Sequence, residues 1–389
     1  MRTNVGVIFG GKSVEHEISI ISAVEAMGYL DPNKYQVIPI YIDKDNNWWT
    51  GMHLKDILNY RDIALVKRYA KKVALIKDGK RIVLQSLGLF KKDLYVIDIV
   101  MPIGHGSFME DGSLQGYLNM LGIPYTGPGV LGAALGQDKV YMKEILDYNH
   151  IPITNYVWFD NKMFDVNKKE IIEKISKLKY PLYVKPSSLG SSIGITKIET
   201  ESALIPAIKN AFKYDKRVLV EEAIKNVKEV NISVLGDNNK QEVSGIEEIN
   251  CDGEFYSFKE KYVENYSKSV INARKTKPLL SKEMQEDLKK YAKETFRLLN
   301  ARGVARIDFL IDEKSKSIYV NEINTIPGSL SGYLWLEKKK PQQELLDDLI
   351  KIAMNTYKEK DELSLALPGN LLEGYDILKG SKLKKKKNE

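Results

Sequence analysis

Two apolar runs separated by a polar turn constrain the fold of this chain more than any other stretch. The first run spans residues 304–312, the second spans residues 317–324, and the turn between them is residues 313–316. This pattern predicts a β-hairpin. Because side chains alternate across a strand, Arg306 and Asp308 share one face of the first strand, and Glu322 and Asn324 share one face of the second.

The predicted hairpin carries oxygen donors of the kind that Mg²⁺ prefers. Asp308, Glu322 and Asn324 offer two carboxylates and an amide carbonyl, and Mg²⁺ commonly binds such groups together with substrate phosphates. The alternative is an ordinary hairpin face exposed to solvent. The residues alone leave both interpretations open.

Length and composition describe a multidomain globular protein. At 389 residues we expect two or three domains, and 43% hydrophobic and 29% charged residues are typical of soluble proteins. We find no apolar run of about 18 residues and no secretory signal pattern, so we expect neither a membrane span nor secretion. The single Cys251 excludes an internal disulfide and fits a cytoplasmic location.

The formal charge of +7 is concentrated in the last eleven residues, which carry six lysines and one glutamate, a net charge of +5 that leaves about +2 elsewhere. We therefore expect residues 361–389 to form a basic, partly disordered tail. We do not expect nucleic-acid binding, because the other Lys/Arg-rich stretch, residues 67–92, contains few aromatic residues that could stack on bases.

An α/β unit opens the chain. A short apolar run at residues 4–9 is followed by two glycines and by a helix that Ser13 could cap. The sequence from Gly6 to Ser13 matches a phosphate-loop pattern, but its intervening residues belong to the strand, so we reject that interpretation. Glu15, in the first helical turn, either holds a ligand amine or only complements the helix dipole.

A lone histidine follows the next buried strand, predicted over residues 94–102. His105 lies between Gly104 and Gly106, at the carboxyl end of a strand, where open α/β sheets bind ligands. We favour a functional role for His105 over a structural one. Residues 1–137 are predicted to form one α/β domain.

A glycine- and serine-rich loop at residues 187–194 lies between two predicted strands. Backbone amides and hydroxyl groups of such a loop can bind a polyphosphate, with Lys185 supplying charge, although many such loops are simple turns. Glu222 and Glu229 end or begin strands further on and can accept hydrogen bonds from a nucleoside. The alternative interpretation is that these two glutamates lie on a solvent-exposed sheet edge.

Several segments, taken in order from Val5 to about Ile352, resemble the D-alanine–D-alanine ligases of the ATP-grasp superfamily. The matching segments are residues 9–19, residues 105–116, residues 123–127, Asp138-Lys139, residues 184–186 with 190–194, Lys261-Tyr262, Arg306-x-Asp308, and residues 321–328. Together they are highly specific, whereas any one of them is not.

The resemblance implies an α/β fold of the ATP-grasp type, in which an N-terminal parallel α/β domain precedes two ATP-grasp domains that enclose the nucleotide. The implied boundaries are 1–137, 138–217 and 218–360, followed by the tail. The implied reaction joins two D-alanines for peptidoglycan synthesis. It uses ATP and two Mg²⁺ ions, with Mn²⁺ as a possible substitute, and the family is commonly homodimeric.

The resemblance also implies a role for each matching residue. The substrate-binding residues are Glu15 for the ammonium of the first D-alanine, His105 beside its carboxylate, and Tyr256. The nucleotide-binding residues are Lys139, Lys185 and Lys261 for phosphates, Ser191 and Ser192 in the closing loop, and Glu222 and Glu229 for adenine and ribose. The catalytic and metal-binding residues are Glu15, Ser191, Arg306 and the Gly328 amide, with Asp308, Glu322 and Asn324 holding the metal.

The sequence departs from the family pattern just after the hairpin. Tyr333 stands, by count, where the family has a serine that binds the carboxylate of the second substrate. Tyr333 or Ser331 could replace it, or the acceptor could be D-serine, D-lactate or another amino acid. A non-catalytic nucleotide-binding protein is a further alternative, which the metal-type residues and lysines disfavour.

Overall fold

A computed structural model describes residues 2–249, 274–276 and 278–363, in which the strands form three sheets. The first sheet has the order β6-β5-β4-β3-β2-β1-β7, and only the pairs of β1 with β2 and β7 are parallel. Its strands are β1 Thr3–Gly10, β2 Tyr35–Ile42, β3 Trp48–Thr50, β4 Lys71–Asp78, β5 Arg81–Ser86, β6 Asp93–Val96 and β7 Ile99–Ile103. The parallel strands are apolar along their length because both of their faces are covered.

The edge strands of this sheet come together because only residues 97 and 98 separate β6 from β7. The Ile97 amide donates to the Ile82 carbonyl at 2.8 Å, and the Asp98 amide donates to the Asn4 carbonyl at 3.0 Å. The chain therefore passes directly from pairing with β5 to pairing with β1. As a result, the sheet curls around a buried apolar cluster on its inner face.

Helices flank the curled sheet. They are α1 His16–Tyr29, α2 Ile63–Tyr69, α3 Ser113–Leu121 and α4 Val130–Gln137, with 3₁₀ turns at Met52–Lys55 and Ile57–Arg61. The predicted strand over residues 94–102 is thus two strands. The region from residue 44 to residue 92 extends the sheet with antiparallel strands.

An antiparallel four-stranded sheet follows, with the order β10-β9-β11-β8. Its elements are α5 Lys139–Tyr148, β8 Tyr156–Asp160, α6 Asn161–Ser176, β9 Leu182–Pro186, β10 Thr196–Ile198, a 3₁₀ turn Glu201–Ala203, α7 Leu204–Ala211 and β11 Arg217–Glu222. Leu182, Val184, Val218 and Val220 pack one face of the sheet against α6 and α7. The residues that alternate with them face the other way.

A five-stranded antiparallel sheet completes the part of the chain described here, with the order β14-β13-β12-β15-β16. Its elements are β12 Val227–Gly236, β13 Gln241–Ile249, β14 Arg274–Thr276, α8 Lys282–Leu298, β15 Gly303–Asp312, β16 Ile318–Asn324, a 3₁₀ segment Gly328–Lys338 and α9 Gln342–Asp361. The β15–β16 pair is the predicted hairpin.

Strict alternation on β12 gives this sheet two unlike faces. Val230, Ile232 and Val234 are fully buried in a cluster with α8. Glu229 and Asn231 lie on the opposite face, so the sheet presents a polar surface toward the rest of the molecule. The mixed α/β class predicted from the sequence is confirmed.

Helix α9 packs the end of the described chain against its beginning. Leu345, Leu346 and Leu349 share one buried cluster with residues of β1, α1 and β7. Asp347 ion-pairs with Lys34 at 2.6 Å at the rim of this cluster. None of the helices in residues 2–249 and 278–363 combines the length and the apolar character needed to cross a membrane.

Candidate active site

The hairpin brings four predicted site residues to one face. In the register of β15 and β16, Arg306 lies opposite Asn324 and Asp308 lies opposite Glu322, with a bulge just after Asp308. Directly opposed residues on paired strands point to the same side of the sheet. The Asp308 carboxylate accepts from Arg306 Nε and Nη2, both at 2.7 Å, and from Asn324 Nδ2 at 3.1 Å.

The donor set of this face fits a hard divalent cation. Asp308, Glu322 and Asn324 contribute oxygen atoms only, which is the chemistry that Mg²⁺ selects. Within the described ranges, no three Asp, Glu, His or Cys side chains cluster closely enough to bind a metal by themselves. A metal here would therefore depend on the Asn324 carbonyl and on oxygen atoms from a substrate such as a phosphate.

The polar row continues across the sheet beyond the predicted residues. Asn231 on β12 is paired with both Asp308 and Glu247. The Asn231 amide is best oriented with its nitrogen 3.1 Å from Asp308 Oδ1. Burial alone would lower the pKa of Arg306, but Asp308, Tyr333 and Glu247 raise that pKa above its ordinary value. The guanidinium is thus held as a cation.

Lys139 joins this face to the glycine/serine loop of residues 187–194. Its ammonium donates to the Leu189 carbonyl at 2.8 Å and lies 3.6 Å from Glu322 Oε2. The helix that begins at Lys139 is capped by Asp138, whose carboxylate accepts from the Val140 amide at 3.0 Å and from the Ser187 hydroxyl at 2.7 Å. The start of α5 and the loop therefore form one unit.

The same loop closes onto the first helix of the chain. The Ser191 hydroxyl donates to Glu15 Oε1, and both Ser191 and Ser192 have positive φ angles, 55° and 60°. A Cβ atom at Gly190 would lie 3.3 Å from Glu15 Oε2, so the small residue permits this close approach. The contact brings together two predicted site residues, Glu15 and Ser191, that are 176 positions apart.

Lys185 lies on the face of the four-stranded sheet that α6 and α7 do not cover. It is buried and ion-pairs with Glu221, a residue that sequence reasoning did not select. Glu222 points to the opposite face, where it accepts from Asn155 Nδ2 at 3.1 Å and from the Lys179 amide at 2.9 Å. The structure therefore brings Glu221, and not Glu222, next to Lys185.

His105 and Glu110 lie close to the Glu15 carboxylate. Burial lowers the pKa of His105, although the charge of Glu15 and a hydrogen bond to the Ile326 backbone oppose this effect. Glu110 accepts from the Gly106 amide at 3.0 Å and from the Ile326 amide at 2.9 Å. Burial first, and then the charge of Glu15, raise the pKa of Glu110 to about 8.

The segment after the hairpin has an unusual backbone. Ser329, Leu330 and Ser331 all have φ near +50°, a conformation that costs energy for residues other than glycine. The Ser331 hydroxyl is buried without a hydrogen-bond partner among the described residues, and Tyr333 donates to Glu247 Oε2 at 3.3 Å. A Cβ atom at Gly328 would meet open space.

The structure thus links Glu15, Ser191, Lys139, Glu322 and Arg306 with Asp308 in one series of contacts. Glu229 lies on the polar face of the five-stranded sheet, but Tyr256, Lys261 and the tail from residue 364 lie outside the described residues. Glu221 and Glu247 were missed. Strand alternation could have distinguished Glu221 from Glu222 once the apolar face of β11 was known.

Comparison with known proteins agrees with this geometry. A family model described as the D-ala D-ala ligase N-terminus matches residues 4–128, and one described as the D-ala D-ala ligase C-terminus matches residues 145–351. The chain is 40% identical to a D-alanine–D-alanine ligase of Natranaerobius thermophilus, in an alignment that covers 93% of this chain and 98% of that protein.

Solved structures share the fold. The D-alanine–D-alanine ligase from Coxiella burnetii superimposes with a TM-score of 0.78 at 28% identity, covering 99% of both chains. The VanG D-Ala:D-Ser ligase from Enterococcus faecalis gives a TM-score of 0.75 at 29% identity, covering 91% of this chain and 100% of that one. The two family models together match most of the chain, and the relative from Natranaerobius thermophilus aligns along nearly its whole length. The chain therefore belongs to the D-alanine–D-alanine ligase family.

Proposed function

We propose that this protein joins two D-alanines at the expense of ATP, through a D-alanyl phosphate intermediate, to supply a precursor of peptidoglycan. The observation that carries the proposal is the continuous series of contacts around one cleft. It runs from Glu15 through Ser191 and its loop to Lys139, and on to Glu322 and the hairpin. Substrate-binding and phosphate-binding groups from distant parts of the chain therefore face each other.

The first half-reaction activates a poor electrophile. A carboxylate oxygen of the first D-alanine attacks the γ-phosphorus of ATP, and the bond to the bridging oxygen breaks to release ADP. Such transfers need alignment and charge neutralisation more than a protein nucleophile. In this proposal Lys139 and Lys185 neutralise phosphate oxygens, Glu15 binds the ammonium, and His105 lies beside the carboxylate.

The second half-reaction forms the peptide bond. The neutral amine of the second D-alanine attacks the acyl carbon, and the tetrahedral intermediate expels phosphate while the nitrogen loses a proton. We assign the stabilisation of the oxyanion to the Arg306 guanidinium and the Gly328 amide. The open space beside Gly328 leaves room for this intermediate.

The proposed reaction also requires divalent metal ions. Asp308, Glu322 and Asn324 would hold Mg²⁺, with two ions expected and Mn²⁺ as a substitute. Bound ions would neutralise the negative charge of the phosphates during transfer. We assign adenine and ribose recognition to Glu222 and Glu229, and phosphate contacts to Ser192 and Lys261.

The organisation of the chain is also proposed. We assign residues 1–137 to the first domain, residues 138–217 to the central one and residues 218–360 to the last. ATP is an intracellular substrate, so we place the reaction in the cytoplasm. On the family resemblance we further propose a homodimer, which sedimentation analysis of the purified protein tests.

The acceptor is the least constrained substrate because Tyr333 replaces the serine of the family pattern. Its hydroxyl is 3.3 Å from Glu247, beside Arg306, and the buried Ser331 hydroxyl lies two residues away. Of the two, we propose that the half-buried Tyr333 binds the carboxylate of the second substrate, because Ser331 is fully buried. D-alanine is the proposed acceptor, and D-serine and D-lactate are the alternatives.

A single assay tests the proposal. Purified protein is incubated with ATP, Mg²⁺ and D-alanine, alone or with D-serine or D-lactate, and both ADP release and product mass are measured. We expect D-alanine to stimulate ADP release and to yield the dipeptide. If D-alanine does not stimulate ATP turnover whereas another amino acid does, the substrate assignment is wrong.

A further inference from the structure

A buried series of charged side chains links three elements behind the phosphate-binding face. Lys143 on α5 ion-pairs with Glu221 Oε2 at 2.9 Å, and Lys185 on β9 ion-pairs with Glu221 Oε1. The side chains of Lys143 and Glu221 are each 2% exposed and that of Lys185 is 5% exposed. Both ammonium groups therefore bond to one carboxylate in the interior.

A hydroxyl group completes the series. Thr154 Oγ1 accepts from Lys143 Nζ at 3.0 Å and donates to Glu221 Oε2 at 3.1 Å. Lys143 Nζ also lies 5.6 Å from the centre of the Tyr156 ring. These contacts fix the position of the Glu221 carboxylate, and that carboxylate in turn fixes the position of the Lys185 ammonium.

Stability alone does not account for such an arrangement. Burying charged groups carries a desolvation cost that their mutual attraction often only balances, and apolar replacements are frequently as stable. Burial lowers the pKa of Lys143, and the two ammonium groups hold the pKa of Glu221 well below its usual range despite burial. The contacts thus keep a carboxylate charged at a site that disfavours it.

The location of Lys143 on α5 indicates a role for these buried charged side chains. Lys143 is one helical turn after Lys139, so both residues lie on the same face of α5. Lys139 reaches the loop and Glu322 directly, whereas Lys143 is 1% exposed and cannot touch a nucleotide in the cleft. Only the Lys185 end of the series reaches the phosphate-binding face.

We propose that Lys143 is a positioning residue for the ATP phosphates: it holds Glu221, and Glu221 holds the Lys185 ammonium at the phosphate-binding face. The inference rests on the proposed function in that Lys185 binds phosphate. Helix α5 then serves both phosphate-binding lysines, one directly and the other through Glu221. A long lysine side chain loses substantial rotamer freedom when it is fixed, so fixing it before ATP arrives strengthens binding.

The experiment compares nucleotides that differ in their phosphates. Binding of AMPPNP, a non-hydrolysable ATP analogue, and of AMP is measured by calorimetry for the full-length protein and for Lys143→Met. We expect the variant to bind AMPPNP about tenfold or more weakly, and AMP with nearly unchanged affinity, because only the phosphate contact is misplaced. Lys174→Met removes an exposed lysine from α6 and serves as the matched control.

A double-mutant cycle tests the route through Glu221. If Lys143 acts through that carboxylate, adding Lys143→Met to Glu221→Gln causes little further loss of AMPPNP affinity. The double variant removes the charges of Lys143 and Glu221 together, so it remains informative if Lys143→Met alone does not fold. Additive losses in the cycle would contradict the proposal, as would equal weakening of AMP and AMPPNP.

Kinetics separate this inference from the proposed function. In the ligase assay, Lys143→Met is expected to raise the KM for ATP while leaving the KM for D-alanine unchanged, and Lys143→Arg is expected to restore part of the loss. A wild-type protein that binds AMPPNP but does not ligate D-alanine would refute the function and leave the positioning role intact. Wild-type AMPPNP affinity in folded Lys143→Met would refute the role alone.

Discussion

Glu110 connects two segments of the cleft that are far apart in sequence. Its carboxyl group accepts amides from Gly106 in the loop after β7 and from Ile326 in the segment after the hairpin. Burial and the neighbouring Glu15 raise its pKa to about 8. The sequence resemblance included this residue in a matching segment without giving it a role, and its environment comes from a tertiary contact that no local pattern reveals.

The raised pKa of Glu110 makes the stability of the protein depend on pH. Between about pH 4.5 and about pH 8 the folded state keeps a proton on Glu110 that the unfolded state has released, so this residue lowers stability as pH rises. We expect Glu110→Gln to flatten the pH dependence of the unfolding free energy in that window, by up to about 1.4 kcal/mol per pH unit. Urea denaturation at several pH values measures the unfolding free energy of both proteins. If its pH dependence is the same in Glu110→Gln as in the wild type, the raised pKa of Glu110 is contradicted.

Glu322 is the residue whose replacement best tests the metal assignment. Because its carboxylate is a proposed Mg²⁺ ligand 3.6 Å from Lys139, we expect Glu322→Gln to reduce turnover at least about 100-fold with the fold intact. Circular dichroism checks that the fold is intact, and the ADP-release assay measures turnover. Glu313→Gln, at an exposed position in the turn of the same hairpin, is the control and should retain activity. Normal turnover in Glu322→Gln would remove the residue from the metal site.

At the scale of elements, the hairpin was predictable and the strands around it were less so. Alternating polar residues at positions 306–308 and 322–324 determine the face on which each lies, and the structure confirms that they lie on one face. Glu221 and Glu222 show the limit, because a shift of one residue along a strand reverses the face. The packing of α6 and α7 decides whether Glu221 or Glu222 lies on the same side of the sheet as Lys185. The local sequence does not specify that packing.

The junction of α5 with the glycine/serine loop is held by one carboxylate. Asp138 caps the helix, accepts from Ser187 and ion-pairs with Arg217. We expect Asp138→Ala to lower the free energy of unfolding by about 2–4 kcal/mol, since a cap and a partner of a charged group are lost together. Urea denaturation measures this change.

The matched control for Asp138 is a residue with the same capping role on a neighbouring helix. Asp160 accepts the Met163 amide at 2.7 Å at the start of α6 and is half-buried. We expect Asp160→Ala to cost about 1 kcal/mol. Equal losses in the two variants would show that the contacts to Ser187 and Arg217 add nothing to the cap.

At the scale of the whole molecule, the family and the mixed α/β fold were both foreseen and both are confirmed. The resemblance rested on short segments whose spacing covers most of the chain, and the family models match residues 4–128 and 145–351. The curled sheet was not foreseen. Between residues 44 and 92, β3 has only three residues and β4 carries three lysines. These strands are recognisable only from their pairing with each other and with β2.

The packing of α9 on the first sheet gives a prediction at this scale. Leu346 is fully buried in a cluster that also contains residues of β1 and α1. We expect Leu346→Ala to reduce the free energy of unfolding by about 2–5 kcal/mol through the cavity that it leaves. The control is Leu336→Ala, whose side chain is 63% exposed and whose loss should cost under about 0.5 kcal/mol. Urea denaturation measures both variants, and similar unfolding midpoints would contradict the predicted contribution of Leu346 to stability.

The curl of the first sheet also bears on how the protein behaves at high concentration. The outer side of β7 is occupied at Val100, whose amide donates to the Pro124 carbonyl and whose carbonyl accepts the Thr126 amide. Exposed strand edges are the usual templates on which β-proteins add to one another. By folding residues 123–126 over this edge, the chain removes one route to self-association through β-strands, independently of any role that those residues have near the substrates.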